Sequence, residues 1–299
     1  MILNKNTEKN ISIPFPKYIS IETVKRCNAR CVFCAVNEWP KHTPVMSDEL
    51  YEDIFRQIKE HAADVEQVYL HGNGEPLLDK KLIQRVCQFK TAGVKKLVIT
   101  TNASLLNQTI SEELLNAGLD EIFFSFNGLN KDKYEKVRVG LNFDTVMANA
   151  LGFIELRNRI NPATRIRMRM EVDPIFSDND VNEWMLFWRK KLKESDEVYA
   201  KKLHNWGNQI EKIKSTKILS TPCPVLWTTM TILSDGQVAL CCIDYAPKIV
   251  LGNLNTHSIK DVWMGKELSD IRTLHLSGLT DEISLCKGCK LWDADQKIF

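Results

Sequence analysis

The sequence predicts an α/β protein: a partial barrel of six β/α units, followed by a small cysteine-rich module made of a β-hairpin plus a helix. Short apolar runs alternate with longer amphipathic ones over residues 17–206, the pattern of parallel strands joined by crossover helices. Six such units favour an open or partial barrel over a closed eightfold one. Beyond about residue 207 the alternation stops and cysteines cluster. Three segments result: an arm over 1–16, the barrel over 17–206 and the module over 207–299.

The first strand is read at 17–24 (KYISIETV). Residues 47–63 place Leu50, Ile54, Ile58 and His61 at helical spacing behind an acidic start at Asp48 and Glu49. The other strands are expected at 66–71, 96–101, 120–126, 165–172 and 197–203. Helices are expected at 79–91, 105–117, 130–137, 143–158 and 179–192. In the module, 227–233 and 237–241 flank a Ser-Asp-Gly turn and read as a hairpin, and 258–276 reads as one helix. Trp184 and Trp188, at helical spacing, are expected in the core, as is Cys87 within KKLIQRVCQF.

A chain of 299 residues with 44% hydrophobic content can bury a core without staples. The 40 basic and 38 acidic side chains nearly cancel, so no field exists to hold nucleic acid or a membrane surface. No apolar run reaches the roughly 18 residues of a membrane span. The N-terminus lacks the apolar stretch of a signal peptide, so the expected compartment is cytoplasmic. In that reducing setting, clustered members of the nine cysteines are metal ligands or redox groups rather than disulfides.

Cys27-Asn-Ala-Arg-Cys31-Val-Phe-Cys34 follows the first strand, at the end of a parallel sheet where reactive sites gather. Three thiolates in one loop can take three corners of a 4Fe-4S cubane and leave the fourth iron open. Zinc takes paired C-x2-C ligands plus a fourth, and fits the x3-then-x2 spacing poorly. This CxxxCxxC, with Phe33 before its last cysteine, resembles the signature of the radical S-adenosylmethionine (SAM) superfamily. Gly72-Asn73-Gly74-Glu75-Pro76 follows the second strand and resembles that family's Gly-Gly-Glu segment, with Asn73 as a departure. The resemblance implies backbone contacts from Gly72, Asn73 and Gly74 to the SAM amino group, supported by Glu75. Thr101-Asn102 is similar to a Thr-Asn-Gly motif, with Ala103 in place of glycine. Ser125-Phe126-Asn127-Gly128, followed by Tyr134 and Arg138, completes the series and implies SAM contacts from Asn102, Ser125, Asn127 and Arg138. Arg165, Arg167 and Arg169 put three cations on one strand face, of which Arg167 or Arg169 is expected to point inward, with Arg169 reaching the cofactor. Singly, GNGEP reads as a turn and each arginine as a solvated pair.

Cys223, the Gly236-to-Cys241 hairpin and Cys286-Lys-Gly-Cys289 resemble the SPASM/Twitch extension of radical SAM enzymes, as do 251–254 and 258–263. The resemblance implies Cys223, Cys241, Cys286 and Cys289 as ligands of one auxiliary 4Fe-4S cluster, beside the SAM-binding cluster on Cys27, Cys31 and Cys34. A structural zinc on four cysteines also fits the CxxC. Cys242 is open between a packed small apolar residue, a substitute ligand for Cys241 and a thiol that gives a hydrogen atom to a product radical. His71 is either a satisfied core histidine or part of the site wall. His204, Asn205, Trp206 and Gly207, after the sixth strand, are candidate substrate contacts.

By this resemblance, SAM chelates the open iron and is cleaved reductively to a 5′-deoxyadenosyl radical, which takes hydrogen from a substrate C–H bond. A flavodoxin or ferredoxin would supply the electron. The expected net reaction is oxidation of a sugar or aminocyclitol-type small molecule, with the auxiliary cluster accepting an electron. The alternative is oxidation, cross-linking or epimerisation of a peptide, weakened by the lack of a leader-binding domain before Cys27. A non-catalytic zinc protein is the remaining reading. Barrel loops that select substrate carry no transferable code.

Overall fold

The computed structural model describes residues 14–38, 43–203, 206, 209, 222–287 and 289. His204, Asn205, Gly207 and most of the N-terminal arm lie outside them. The barrel runs β1 (Tyr18–Ile21), α1 (Asp48–Glu60), β2 (Gln67–Tyr69), α2 (Leu82–Thr91), β3 (Leu97–Thr101), α3 (Gln108–Asn116) and β4 (Glu121–Ser125). It continues with α4 (Lys131–Val137), α5 (Phe143–Ile160), β5 (Arg165–Val172), α6 (Asp178–Lys191) and β6 (Glu197–Lys202). Strands β1 to β6 pair in sequence order, all parallel. Every barrel helix except α2 starts with a side-chain cap that takes up an otherwise orphaned N–H: Ser47, Asn107, Asn130, Asn142 and Ser177 accept from the third residue on. Ile19, Val68, Ile99, Ile122 and Met168 of the sheet face Ile54, Val86, Leu114, Phe153, Trp184 and Trp188 of the helices, forming one core. Among the described residues no helix is long and apolar enough to cross a membrane.

The C-terminal region contains α7 (Val225–Thr228), β7 (Thr229–Ile232), β8 (Gln237–Ala239), β9 (Val250–Asn253), α8 (Ile259–Trp263) and α9 (Lys266–Leu276). Three features differ from the sequence reading. The hairpin does not stand apart: β7 pairs in parallel with β1, so the sheet has nine strands in the order β6-β5-β4-β3-β2-β1-β7-β8-β9. An open barrel leaves β1 with unpaired backbone groups, and β7 satisfies them. The third strand, β9, carries no alternating pattern that would announce it. The single helix expected over 258–276 is two, because Gly265 is extended (φ −67°, ψ 162°) and restarts the chain as the cap of α9.

Cys87 is a correction as well. It is on α2 but exposed, whereas Leu82, Arg85, Val86 and Phe89 form the buried face. One residue past Val86 is a turn of about 100° around the helix, enough to bring the thiol to solvent.

Candidate active site

The C-terminal strand ends open on a cavity of about 310 Å³, within the range of ligand pockets rather than packing voids. Its wall includes Cys27, Cys31, Phe33 and Cys34 on one side. The cysteine loop is fastened from two directions. Glu75 N–H donates to the Arg26 carbonyl (2.7 Å), while Arg30 and Val32 N–H donate to Val139 and Val137 carbonyls (2.8 and 3.0 Å).

Donors are aimed at the sulfurs. Ala29 N–H and an Arg138 guanidinium N–H each reach Cys27 Sγ and Cys31 Sγ respectively at 3.4 Å. Asn102 Nδ2 is 3.9 Å from Cys27 Sγ and donates to Asn28 Oδ1 at 2.9 Å. Burial pushes the Cys27 thiol up to about 11, so its thiolate needs a compensating cation. Three thiols in one loop with hydrogen bonds directed at sulfur fit an iron–sulfur cluster with one open iron.

The glycine segment serves the chain before it serves any ligand. A side chain at Gly74 would collide with the Val24 carbonyl and lie 2.6 Å from that of Arg26; at Gly72 it would lie 2.6 Å from Glu22. Glycine lets the segment press against the strand that leads into the cysteine loop. Asn73 lines the cavity and donates its N–H to Glu22 Oε2 at 3.2 Å. Glu75 has both carboxylate oxygens engaged: they accept from Thr101 Oγ1 (2.7 Å), Asn102 N–H (2.8 Å) and Leu77 N–H (3.1 Å). Burial raises its carboxyl to about 7 despite these donors. It therefore locks the segment to the end of β3.

Asn127 does not reach the cavity wall. It is fully buried, accepts from Arg138 Nε at 2.9 Å and donates to the Glu171 carbonyl. Its place is behind Arg138, whose guanidinium also meets Glu171 Oε2 at 3.3 Å and sits 5.1 Å over the Phe33 ring. Of the three arginines on β5, only Arg169 lines the cavity; its Nη2 donates to Ser125 Oγ at 3.1 Å and its Nε is 2.8 Å from Glu171 Oε1. Arg165 and Arg167 are spent on Glu121 and Glu197. His71 lines the wall, with Nδ1 accepting from Thr100 N–H at 3.2 Å. Burial, then the charge of Arg169, depresses it to about 4, so the ring is neutral.

From the C-terminal region, Cys242 enters the same cavity with Ile243. It is exposed to that space, which removes the reading of a packed small apolar residue. Cys223, Cys241, Cys286 and Cys289 gather nearby; burial raises the thiols of Cys223, Cys241 and Cys286, and the neighbouring Cys289 adds to the rise at all three. Among the described residues no three His, Cys, Asp or Glu side chains converge at single-ion spacing. A cubane asks for less convergence, because each thiolate takes its own iron. His275, absent from the sequence reading, bridges two of these cysteines: Nδ1 accepts from Cys223 N–H and Nε2 lies by Cys286 Sγ, both at 3.4 Å. Trp206 Nε1 donates to the Phe33 carbonyl at 3.2 Å and places the chain after β6 over the cysteine loop.

Two family models match this chain: the radical SAM superfamily over residues 21–160 and the SPASM iron–sulfur cluster-binding domain over 223–290. The chain belongs to the radical SAM superfamily. With that membership come SAM, a 4Fe-4S cluster and an iron–sulfur-binding C-terminal domain. Among curated relatives, a GTP 3′,8-cyclase of Thermodesulfovibrio yellowstonii is 28% identical over 64% of this chain and 56% of its own length. A second, from Clostridium botulinum, is 32% identical over 43% of this chain and 40% of its own length. The radical SAM chain thus spans about half the length of the curated relatives it matches. Among solved structures, BtrN in complex with AdoMet and 2-DOIA shares the fold at TM-score 0.63 and 20% identity, over 91% of this chain and 92% of that one. SuiB of Streptococcus suis bound to the precursor peptide SuiA matches at TM-score 0.61 and 18% identity, over 87% and 67%.

Proposed function

We propose that this chain is a radical SAM oxidoreductase that oxidises a small polar molecule. Cys27, Cys31 and Cys34 hold the SAM-binding cluster, and Cys223, Cys241, Cys286 and Cys289 hold one auxiliary cluster. The observation that carries this is a single cavity whose wall is shared by the first cysteine loop and by Cys242, next in sequence to an auxiliary ligand. When bound, the first cluster supplies one electron and SAM the radical that takes hydrogen from the substrate.

The chain's own residues position and enclose. Backbone at Gly72, Asn73 and Gly74, with Asn102, Ser125 and Arg169, faces the space where SAM would lie. Glu75 and Asn127 hold the groups that do the touching. Arg138 balances charge at Cys31. Phe33, Leu203 and Trp206 wall the space against stray hydrogen-atom donors that would quench a radical. The likeness to BtrN, crystallised with AdoMet and 2-DOIA, supports a small-molecule substrate; the GTP 3′,8-cyclase relatives support a nucleotide-like one. A flavodoxin or ferredoxin is the proposed electron source.

One observation favours a second reading. The Cys242 thiol opens to the cavity and is placed to give a hydrogen atom to a substrate radical; with the resulting thiyl restored by one electron from the auxiliary cluster and a solvent proton, the net reaction would be an epimerisation, as of a peptide or sugar centre. The test is an anaerobic 5′-deoxyadenosine assay in deuterated water on candidate substrates. Oxidation yields product without solvent deuterium; return of hydrogen from an exchangeable thiol places deuterium at one carbon and is lost in Cys242→Ala. Reconstituted protein without iron, or unable to cleave SAM, overturns both.

A further inference from the structure

The two ends of the cavity differ in charge. Arg138, Arg169 and Lys201 line it against two carboxylates, Glu75 and Glu171. At the β2–β3 end Glu75 is taken up by three donors, and Arg138 is turned to Cys31 and Asn127. Glu171 therefore faces three cations at the β5–β6 end: Oε2 is 3.3 Å from Arg138 Nη2, and Oε1 is 2.8 Å from Arg169 Nε and 3.8 Å from Lys201 Nζ. One positive charge is left over in a poorly solvated wall, which is costly unless an anion arrives to balance it. Arg169 also leans toward Ser125, on the side given above to SAM. Lys201 stands on β6 two residues after Tyr199, on the same strand face, and lines the cavity together with Cys242; burial, then the charge of Arg169, lowers its pKa.

We propose that Lys201 binds an anionic group of the substrate, a carboxylate or a phosphate. This rests on reading the cavity as the substrate site, and it narrows that reading: a cationic amino sugar would meet repulsion there, and an acidic or phosphorylated molecule would not.

Two reagents that alkylate thiols by the same displacement, one anionic and one neutral, test this without turnover. Anaerobically reconstituted protein carrying SAM is treated with equimolar iodoacetate and iodoacetamide. The ratio of carboxymethyl to carbamidomethyl product is then read at Cys242 and at Cys87 by mass spectrometry. Both reagents need the thiolate, so thiol acidity cancels in the ratio. Cys87, exposed on α2, is the internal reference.

The expected ratio at Cys242 is about five-fold or more above that at Cys87, falling to within about two-fold in Lys201→Gln and recovering in Lys201→Arg. Inorganic phosphate or acetate should slow carboxymethylation of Cys242 in the parent and not in Lys201→Gln. Stronger protection by phosphate points to a phosphorylated substrate, by acetate to a carboxylate. Equal ratios at the two thiols, a ratio unmoved in Lys201→Gln, protection by neither anion, or no labelling of Cys242 by either reagent overturns the proposal. Failure of the underlying family chemistry is read separately, as missing iron or absent SAM cleavage.

Discussion

Cys27, Cys31 and Cys34 fall within eight consecutive residues, whereas Cys223, Cys241, Cys286 and Cys289 are spread over 67. The first group sits in one loop, fastened to the Arg26–Glu75 contact on one side and to Val137 and Val139 on the other. The second comes from the approach to α7, the turn after β8 and the chain after α9. They reach one another because β7 lies on β1 and because Gln57 of α1 accepts from Ile259 N–H at 2.7 Å, fixing α8 to the barrel. A local loop presents ligands by its own spacing. A dispersed set depends on every contact that docks the module, so its geometry is a property of the whole fold.

The largest test of that contrast compares one cysteine from each group. Cys31→Ala is expected to lose about four of about eight irons per chain and all 5′-deoxyadenosine formation. Cys286→Ala should lose about the same iron yet still cleave SAM, with product formation abolished. Loss of SAM cleavage in both would mean that the regions do not work separately.

Next in size is Gly74→Ala, where the added methyl meets backbone carbonyls that cannot swing away. A loss of about 2–3 kcal/mol in chemical denaturation is expected, with weakened retention of the first cluster and not the second. Equal weakening of both would show that the cysteine loop is not locally fastened.

Glu22 joins the two regions: Asn73 N–H and Ser234 Oγ donate to its carboxylate at 3.2 and 3.4 Å. Burial raises its carboxyl from the ordinary 4.5 to about 6. The folded state thus holds this proton more tightly than the unfolded one, and ionising it costs stability. That cost is absent below about pH 4.5, grows as pH rises and is complete above about pH 6, at roughly 2 kcal/mol. Denaturation midpoints measured across this window should show Glu22→Gln losing that part of the parent's slope. An unchanged slope would place the titration elsewhere. The smallest effect belongs to Cys87→Ser, within about 0.5 kcal/mol and with iron content unchanged, because its thiol is in solvent on the outside of α2.

The strand–helix alternation of the barrel was legible because each unit buries its own apolar face, a pattern written at periods of about 2 and 3.6 residues. Arg165–Val172 and the capped starts of α1 and α6 agree with the sequence reading to within a residue for that reason. β9 and the break at Gly265 were not legible: only Leu251 of the four β9 residues is buried, so no alternation is written there, and one glycine in a helical stretch is ambiguous. The site divides likewise. Cys27, Phe33, Asn102 and Ser125 line one cavity, the first two from the loop after β1 and the others from the ends of β3 and β4. Asn127, drawn from the same motif, is turned away to hold Arg138.

The sequence by itself determined the fold class and the three-thiol loop, because both depend on neighbours a few residues apart. Only the tertiary structure decided that Glu75 is spent on the end of β3, that Cys242 opens into the cavity, that His275 joins the C-terminal cysteines and that Lys201 stands over a wall with surplus positive charge. These depend on groups 26 to more than 50 positions apart meeting in a desolvated space. There the energy of each charge and hydrogen bond is set by what faces it, and spacing along the chain does not encode that.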